Sequence, residues 1–322
     1  MWAITPLLVA VPTYFYLRAL RGVDRFEREP ARYVLAAFGW GAVPAVLLAI
    51  IAQLILGLPI EAAFGGESLG ARLVESSVFA PLTEETLKAA AVGLIFLLRR
   101  REFDGWVDGI VYGAAAGFGF AYVENVFYLV GAASWGEWLA LFFLRVVVFG
   151  FMHGFWTSLV GIGFGVARHS KRSSLGKAAI VLGMLGLAMA SHFAHNAAIT
   201  LAEESGGATI LIALANYGLV GLLFIGLSLL SLQHDRRMFR AYLADEVPER
   251  LSPEDFGALT GVGVNAGARL RLLSRRRQAL IQTAAELAQR KYQLVRHGNA
   301  DSAGAEIPAL RDALARLSAE AG

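Results

Sequence analysis

Seven long apolar segments, separated by short polar loops, are the feature that most restricts the fold of this sequence. A helix needs about 20 mostly apolar residues to cross the hydrocarbon core of a bilayer. The composition agrees, because 56% of the 322 residues are hydrophobic and only 17% are charged. We therefore predict an all-α fold, a polytopic membrane helix bundle of about seven transmembrane helices. The segments lie at residues 2–17, 34–57, 74–98, 109–131, 139–167, 178–201 and 209–232.

The loops between these segments alternate between basic and non-basic. Residues 132–138 and 202–208 contain no Lys or Arg, and the loop before the third segment contains only Arg72. The loops on the other side are rich in Lys and Arg, and they comprise residues 18–32, 99–101, 168–177 and 236–240. Because basic loops stay in the cytoplasm, we predict a multi-pass protein of the plasma membrane. Its N-terminus would lie outside and its C-terminus in the cytoplasm.

Several ionisable side chains lie inside these segments, where a charge in hydrocarbon costs free energy. They are Glu84, Glu85 and Lys88 in the third segment, Glu124 in the fourth, Arg145 and His153 in the fifth, and His192 and His195 in the sixth. Taken singly, each is explained as well by a helix–helix hydrogen bond or a local ion pair as by catalysis. Arg145 is interpreted as a side chain that reaches the outer membrane boundary.

Four of these side chains share one depth. Each lies fifteen or sixteen residues from the cytoplasmic end of its segment, and the four are Glu84, Glu124, His153 and His192. At a rise of about 1.5 Å per residue, they stand about 22–24 Å above the cytoplasmic edge, in the outer half of the bilayer. Independent packing contacts have no reason to share a depth. We therefore predict one polar site that faces the bundle interior and is reached by water from outside.

The residue types in this layer limit its chemistry. The chain has no cysteine, the apolar segments contain no aspartate, and Ser76 and Ser77 lie above the layer. Thiol and aspartyl-dyad mechanisms are therefore excluded, and a serine triad is poorly supported. Glu and His acting on water remain, either around a Zn²⁺ ion with a spare Glu as base or without a metal. The short zinc signature HExxH is absent.

Three short motifs occur in order on the segments that carry these residues. They are EExxK at Glu84, Glu85 and Lys88, FxxxEN at Phe120, Glu124 and Asn125, and HxxxN at His192 and Asn196. With His153 between the last two, residues 1 to about 235 resemble the PrsW family of intramembrane proteases. That family belongs to the superfamily of CAAX prenyl endopeptidases and bacteriocin-processing enzymes. The CAAX relatives carry His in place of Glu124, which argues against prenyl-protein processing.

The resemblance implies a membrane-embedded, metal-dependent peptidase that cleaves membrane-anchored regulators such as anti-sigma factors. On this basis and on the shared depth, the predicted metal ligands are Glu124, His153 and His192, with Zn²⁺ as the expected ion. His195 is the alternative ligand on the same helix. A metal-free mechanism, in which Glu and His activate water directly, stays open at this point.

The remaining motif residues are predicted to support the reaction. Glu84 or Glu85 would be the general base. Lys88 would orient this glutamate pair, and Asn196 would stabilise the oxyanion or the His192 ring. The expected partners are a membrane-anchored protein substrate and the lipid bilayer, with no nucleic acid.

Two other functions fit the same residues. A proton-coupled transporter or channel would use Glu, Lys and His as a relay, although the sequence shows no obvious internal repeat of the kind common in transporters. A non-catalytic scaffold would use these polar residues only to join helices. Metal dependence and peptide-bond cleavage distinguish the protease from both.

The character of the sequence changes after the last apolar segment. We predict a transmembrane protease domain at residues 1–235 and a cytoplasmic helical region at residues 236–322. In the second region, Ser252 is a predicted N-cap, a long amphipathic helix ends at Gly298, and another helix runs from Pro308 to Ala319. The arginines at 269–277 are interpreted as a solvated helix face, with contact to anionic lipid as the alternative.

Overall fold

Helices account for all the regular secondary structure in the described part of the chain. The computed structural model describes residues 2–20, 22–23, 29–64, 68–99, 102–103, 105–261, 275–297 and 303–319. The α-helices are α1 (Thr5–Leu20), α2 (Ala31–Trp40), α3 (Val46–Phe64), α4 (Leu69–Val74), α5 (Ala80–Leu98), α6 (Trp106–Val130), α7 (Trp135–Leu141), α8 (Met152–His169), α9 (Ser174–Thr200), α10 (Ile210–Leu243), α11 (Pro253–Thr260), α12 (Arg275–His297) and α13 (Ala303–Ala319).

Wide π-helical turns connect several of these helices into longer segments. Gly41–Ala45 joins α2 to α3, Glu75–Phe79 joins α4 to α5, and Phe142–Val148 follows α7. As a result, each of the seven predicted apolar segments falls largely on one long helical segment, with a turn at residues 149–151 inside the fifth.

Five of these helical segments are long and apolar enough to cross a membrane, so a polytopic helical membrane protein is confirmed. They are Ala31–Phe64, Trp106–Val130, Trp135–His169, Ser174–Thr200 and Ile210–Glu246. Of the other two, α1 has only 16 residues, and α5 carries the charged motif of the third segment. The count of seven spans and the orientation in the membrane stay predictions.

The central element of this bundle is α6, of which 16 among 25 residues are buried. Glycines on α6 allow α8 to approach closely. A Cβ atom on Gly109 would lie 2.1 Å from the carbonyl oxygen of Gly161, and one on Gly117 would lie 2.2 Å from that of His153. No side chain fits at either contact, so the two backbones touch. The contact at Gly117 brings the backbone of His153 directly against α6.

Apolar side chains cover much of the outside of these helices. Leu47 and Leu54 on α3 and Leu211 and Leu222 on α10 are each more than half exposed. An apolar surface of this kind is stable where lipid, and not water, surrounds it.

The coordinates divide into two compact units, and the second begins at Gly226 within α10. Its core contains Leu243, Leu259 and Leu280, all fully buried. Ser252 Oγ accepts a hydrogen bond from the backbone N–H of Asp255 at 3.0 Å, which confirms the predicted N-cap. The domain boundary at residue 235 stays a prediction.

Parts of the sequence prediction fall on residues that the structure does not describe. The long amphipathic helix is described only from Arg275 to His297, and the predicted helix at 308–319 forms the greater part of α13. Most of the arginine-rich stretch at 269–277 lies outside the described residues, and so do the basic residues Arg21, Arg25, Arg28, Arg100 and Arg101.

A buried carboxylate cluster holds the second unit together. Glu246 has no exposed surface. Its carboxylate lies 2.5 Å from Lys291 Nζ, 2.7 Å from Arg311 Nε and 3.1 Å from Arg250 Nη1. Burial opposes ionisation of Glu246, but the hydrogen bonds and positive charges of Lys291 and Arg311 outweigh it and lower its pKa. Burial alone would favour the protonated form of Glu246, and these partners favour the ionised form instead.

We expect Lys291→Met to loosen the second unit. The substitution leaves Glu246 buried with less compensating charge, which costs about 3 kcal/mol, the lower end for a broken buried pair because two arginines remain. Hydrogen exchange of the whole protein should quicken in peptides from 238–260. Glu249→Gln, at a side chain that is 78% exposed, should leave exchange unchanged. Equal exchange in wild type and Lys291→Met would show that the cluster does not stabilise this unit.

Acid should loosen the same unit. The pKa values of Asp245 and Glu246 are lowered in the folded protein. Their stabilising contribution is therefore complete above their ordinary pKa values and is lost as the pH falls below them. Hydrogen exchange within 238–260 should accelerate on acidification, and Glu246→Gln should reduce that dependence. An unchanged pH profile in this variant would contradict the assignment.

Candidate active site

Four helices place the predicted site residues beside one another. Glu84, Glu85 and Lys88 lie on α5, Glu124 on α6, His153 on α8, and His192 and Asn196 on α9. The rings of His153 and His192 have centroids 5.2 Å apart. Carboxylates surround them, because Glu124 Oε2 lies 3.0 Å from His153 Nε2 and Glu84 Oε2 lies 4.0 Å from His192 Nε2. The residues predicted to share a depth thus form a single cluster.

Glu85 lies at the centre of this cluster and is fully buried. Lys88 Nζ lies 2.5 Å from its Oε1 atom. His192 Nδ1 lies 3.0 Å from the same oxygen. Thr157 Oγ1 lies 3.4 Å from Oε2, but its single proton has a closer acceptor in the backbone oxygen of His153 at 3.0 Å. Because Oε1 is already paired twice and the side chain is fully buried, Glu85 is poorly placed to accept a proton from water.

Lys88 is also fully buried, and its ammonium contacts three helices. Besides Glu85, it lies 2.9 Å from His153 Nδ1 and 4.6 Å from the ring centroid of Phe120. An ammonium only donates hydrogen bonds, so Nδ1 of His153 accepts here and Nε2 carries the proton. Nε2 lies 3.0 Å from Glu124 Oε2, but this oxygen, like Oε2 of Glu84, accepts no hydrogen bond from the described residues.

His192 is held on two sides. Its Nδ1 faces the Glu85 carboxylate, which can only accept, so Nδ1 carries the proton and Nε2 has the free lone pair. Trp156 stacks on the ring at a centroid distance of 3.9 Å and an angle of 13°. A carboxylate behind a histidine is the usual support for an imidazole that ligates a metal.

Glu84 reaches the cluster with one oxygen unused. Its side chain is only 5% exposed. Oε1 accepts a hydrogen bond from Gln53 Nε2 at 3.3 Å, whereas Oε2 accepts none from the described residues. A buried carboxylate oxygen without a donor is costly unless something else occupies that position.

Glu124 forms an ion pair with Arg145, which the sequence analysis assigned to the outer membrane boundary. Arg145 Nη2 lies 3.0 Å from Glu124 Oε2, and Arg145 Nε donates to Asn125 Oδ1 at 3.2 Å. The guanidinium also lies 3.6 Å from the ring centroid of Tyr128. The interpretation of Arg145 as a boundary side chain was incomplete, because a free arginine and a paired one look the same in sequence.

The two remaining predicted residues lie at the edge of the cluster. Asn196 Nδ2 donates to the backbone oxygen of Ser76 at 2.7 Å. His195 packs against Phe149 at a centroid distance of 4.8 Å, and its Nδ1 has no hydrogen-bond partner among the described residues. Between the two histidines of α9, it is His192 that meets the carboxylates.

Sequence reasoning missed three residues that support the cluster: Gln53, Trp156 and Thr157. Gln53 is the one polar residue between Val46 and Leu56 and could have been noticed as such. Trp156 and Thr157 carry no such signal, since aromatic and small polar residues are common in membrane helices.

A cavity of about 950 Å³ leads to this cluster. Gln53, Glu84, Glu124 and Asn196 line it together with apolar residues of α3. The site predicted to be open to water therefore has a route to the surface of the first unit.

The arrangement suits a metal ion. Ligand atoms of Glu84, His153 and His192 all lie within 4.8 Å of one another. Two imidazoles and a glutamate form a known catalytic zinc set, and the free oxygen of Glu84 provides the carboxylate. Both nitrogens of His153 already have partners, so metal binding requires it to release Lys88 or Glu124. This group contains both predicted histidine ligands, His153 and His192. Its carboxylate is Glu84, whereas the sequence prediction named Glu124.

Several known proteins resemble a part of this chain. Protease PrsW of Bacillus subtilis (strain 168) is 34% identical over 123 residues, which are 38% of this chain and 50% of the relative. Protease PrsW of Clostridioides difficile (strain 630) is 30% identical over 123 residues, 38% of this chain and 49% of the relative. The chain thus spans about half the length of the curated relatives it matches. No solved structure matches it.

One family description covers the whole candidate site. The sequence model of the PrsW family intramembrane metalloproteases matches residues 29–227. This range includes α2 to α9 and all the residues of the cluster. The chain therefore belongs to the PrsW family of intramembrane metalloproteases.

Proposed function

We propose that this protein is an intramembrane endopeptidase that hydrolyses a peptide bond of a membrane-anchored protein. The observation that carries the proposal is the free Oε2 atom of Glu84, buried beside two histidines at the end of a cavity. An anti-sigma-factor-like regulator, the substrate class implied by the family resemblance, is part of the same proposal.

Glu84, His153 and His192 would hold the metal. When bound, a Zn²⁺ ion would supply Lewis-acid activation of water and of the scissile carbonyl. The surroundings favour a cation. The carboxylates of Glu84, Glu85 and Glu124 face two positive side chains, Lys88 and Arg145, so the formal charge of the cluster with neutral imidazoles is −1.

Glu85 and Lys88 position the ligands. Glu85 holds the Nδ1 proton of His192 and directs Nε2 toward Glu84. Lys88 offsets the charge of Glu85, so a buried carboxylate stays ionised next to an imidazole. Neither side chain lines the cavity. Both are fully buried and each contacts one histidine, so their role in the proposed reaction is to orient these rings.

Glu124 is placed to accept a proton from water. It lines the cavity, and its carboxylate is fixed by Arg145 and His153, each 3.0 Å from Oε2. The proposed assignment reverses two predicted roles, with Glu84 as ligand and Glu124 as base. Asn196 lines the same cavity, where its amide can orient a bound peptide.

Metal content separates these two assignments. We expect Glu84→Gln to lower metal affinity by more than about 100-fold, because a ligand is lost. Glu124→Gln should keep the metal but slow cleavage of a membrane-anchored reporter by about 10²–10⁴-fold, the usual contribution of a general base. Elemental analysis of protein purified in detergent and a gel-based cleavage assay measure the two effects.

The controls follow from the same cluster. A His153→Ala/His192→Ala double variant should lose the metal. Glu249→Gln, at an exposed carboxylate that does not line the cavity, should alter neither metal nor cleavage. Metal loss in Glu124→Gln with retention in Glu84→Gln would reverse the roles. A folded wild-type protein that binds no Zn²⁺ and still cleaves the reporter would overturn the metal site.

The support given by Glu85 can be tested by metal titration. Glu85→Gln should weaken Zn²⁺ binding by about 10–100-fold, the usual effect of losing a carboxylate behind a metal-bound histidine. The change also leaves Lys88 buried without its closest anion. The double variant Glu85→Gln/Lys88→Met removes both charges and should still bind Zn²⁺ weakly. Wild-type affinity in the double variant would show that Glu85 only balances Lys88.

A further inference from the structure

The cavity that ends at Glu84 has an acidic rim at its other end. Glu61, Glu75 and Glu203 line it there. Arg72 is the one basic side chain among the described lining residues. It lies 3.7 Å from Glu203 and 3.9 Å from Glu204, so two carboxylates already share it.

Two of the rim carboxylates are uncompensated. Neither Glu61 nor Glu75 forms an ion pair with any residue that the structure describes. They come from different elements, Glu61 from α3 and Glu75 from the turn before α5. A Cβ atom on Gly57 would lie 3.4 Å from Glu75 Oε1, so this carboxylate lies against α3, one turn before Glu61. The rim therefore presents net negative charge to whatever enters the cavity.

The distance from the rim to the candidate active site can be read along two helices. Gln53 and Glu84 are hydrogen-bonded at 3.3 Å at the inner end. Glu61 lies eight residues after Gln53, and Glu75 lies nine residues before Glu84. At about 1.5 Å per residue, both paths give about 12–14 Å.

The wall between these two ends is mostly apolar. Leu54 and Leu58 of α3 line one side, and Phe79 and Phe127 lie on others, while Ser76 and Thr200 contribute two hydroxyl groups. At the inner end, Glu84 Oε2 is buried and accepts no hydrogen bond from the described residues, which marks it as a position for a ligand. The cavity thus offers, in order, a reactive end, an apolar wall and an acidic rim.

We infer that this cavity binds an extended segment of a membrane-anchored protein that carries a Lys or Arg about four residues from the scissile bond. An extended chain advances about 3.3 Å per residue, so four residues span the distance from Glu84 to the rim. Apolar residues lie against α3, and the basic side chain meets Glu61 and Glu75. The scissile bond rests on the proposed function, whereas the charge preference of the rim does not.

Binding of defined peptide probes to the whole protein in nanodiscs tests this charge preference. Three fluorescent peptides share one apolar membrane segment and differ at two flanking residues, which are Lys, Gln or Glu. Each exposed charge pair changes Kd by about two- to fivefold. We expect the Lys probe to bind about 4- to 25-fold more tightly than the Gln probe, with the difference shrinking at high salt.

Matched variants locate the effect. Glu61→Gln and Glu75→Gln should each weaken binding of the Lys probe by about two- to fivefold and leave the Gln probe unchanged. Glu249→Gln makes the same chemical change at an exposed carboxylate that does not line the cavity and does not contact Arg72, and should change neither. The double variant Glu61→Lys/Glu75→Lys should reverse the preference in favour of the Glu probe.

Several outcomes would overturn the inference. Equal binding of the three probes, or equal effects of Glu75→Gln and Glu249→Gln, would remove the rim as a recognition surface. Displacement of the Lys probe by short-chain phosphatidylethanolamine would assign the rim to a lipid amine. A cleavage assay separates the two proposals. If the protein prefers the Lys probe but cleaves no substrate, only the proposed protease function is contradicted. If it cleaves substrate but shows no charge preference, only the proposed role of the rim is contradicted.

Discussion

The buried ammonium of Lys88 is the interaction on which the rest of the candidate site depends. A charge at this depth is tolerated only when it is paired, and Glu85 pairs it at 2.5 Å. The same carboxylate holds His192, and the same ammonium holds His153. One ion pair on α5 thereby fixes the imidazoles of α8 and α9. Both partners are fully buried, so water could not take the place of either one if a substitution removed it.

Around this pair, the residues that orient the histidines are distinct from the carboxylates that line the cavity. Glu85, Lys88 and Trp156 lie behind the histidines, while Glu84 and Glu124 face the cavity. Close contact between α6 and α8 makes this possible, because glycine removes the side chains that would otherwise keep the two helices apart. The charged groups of the cluster thus lie together, with a cavity that leads outward from them and leucine side chains on the outside of the bundle.

Much of this was predictable because a helix has a constant rise. Counting residues from the loops placed Glu84, Glu124, His153 and His192 at one depth, and the structure brings them into one cluster. Counting does not give the rotation of a helix about its axis or the rotamer of a side chain. For that reason the sequence did not predict that Glu84, and not Glu124, lies near both histidines. It also did not predict the pairing of Arg145 or the contact of Gln53 with Glu84.

The sequence alone determined a helical membrane protein, the grouping of its polar residues and the family motifs. It could do so because backbone groups in hydrocarbon must be satisfied within each segment, so apolar length and helical rise suffice. Only the tertiary structure decided which carboxylate lies near both histidines, which one pairs with Lys88, and that an acidic rim ends the cavity. Those features depend on contacts such as Gln53 with Glu84 and Glu85 with His192, between segments far apart in the chain. No local pattern encodes them, because each is set by how neighbouring helices pack.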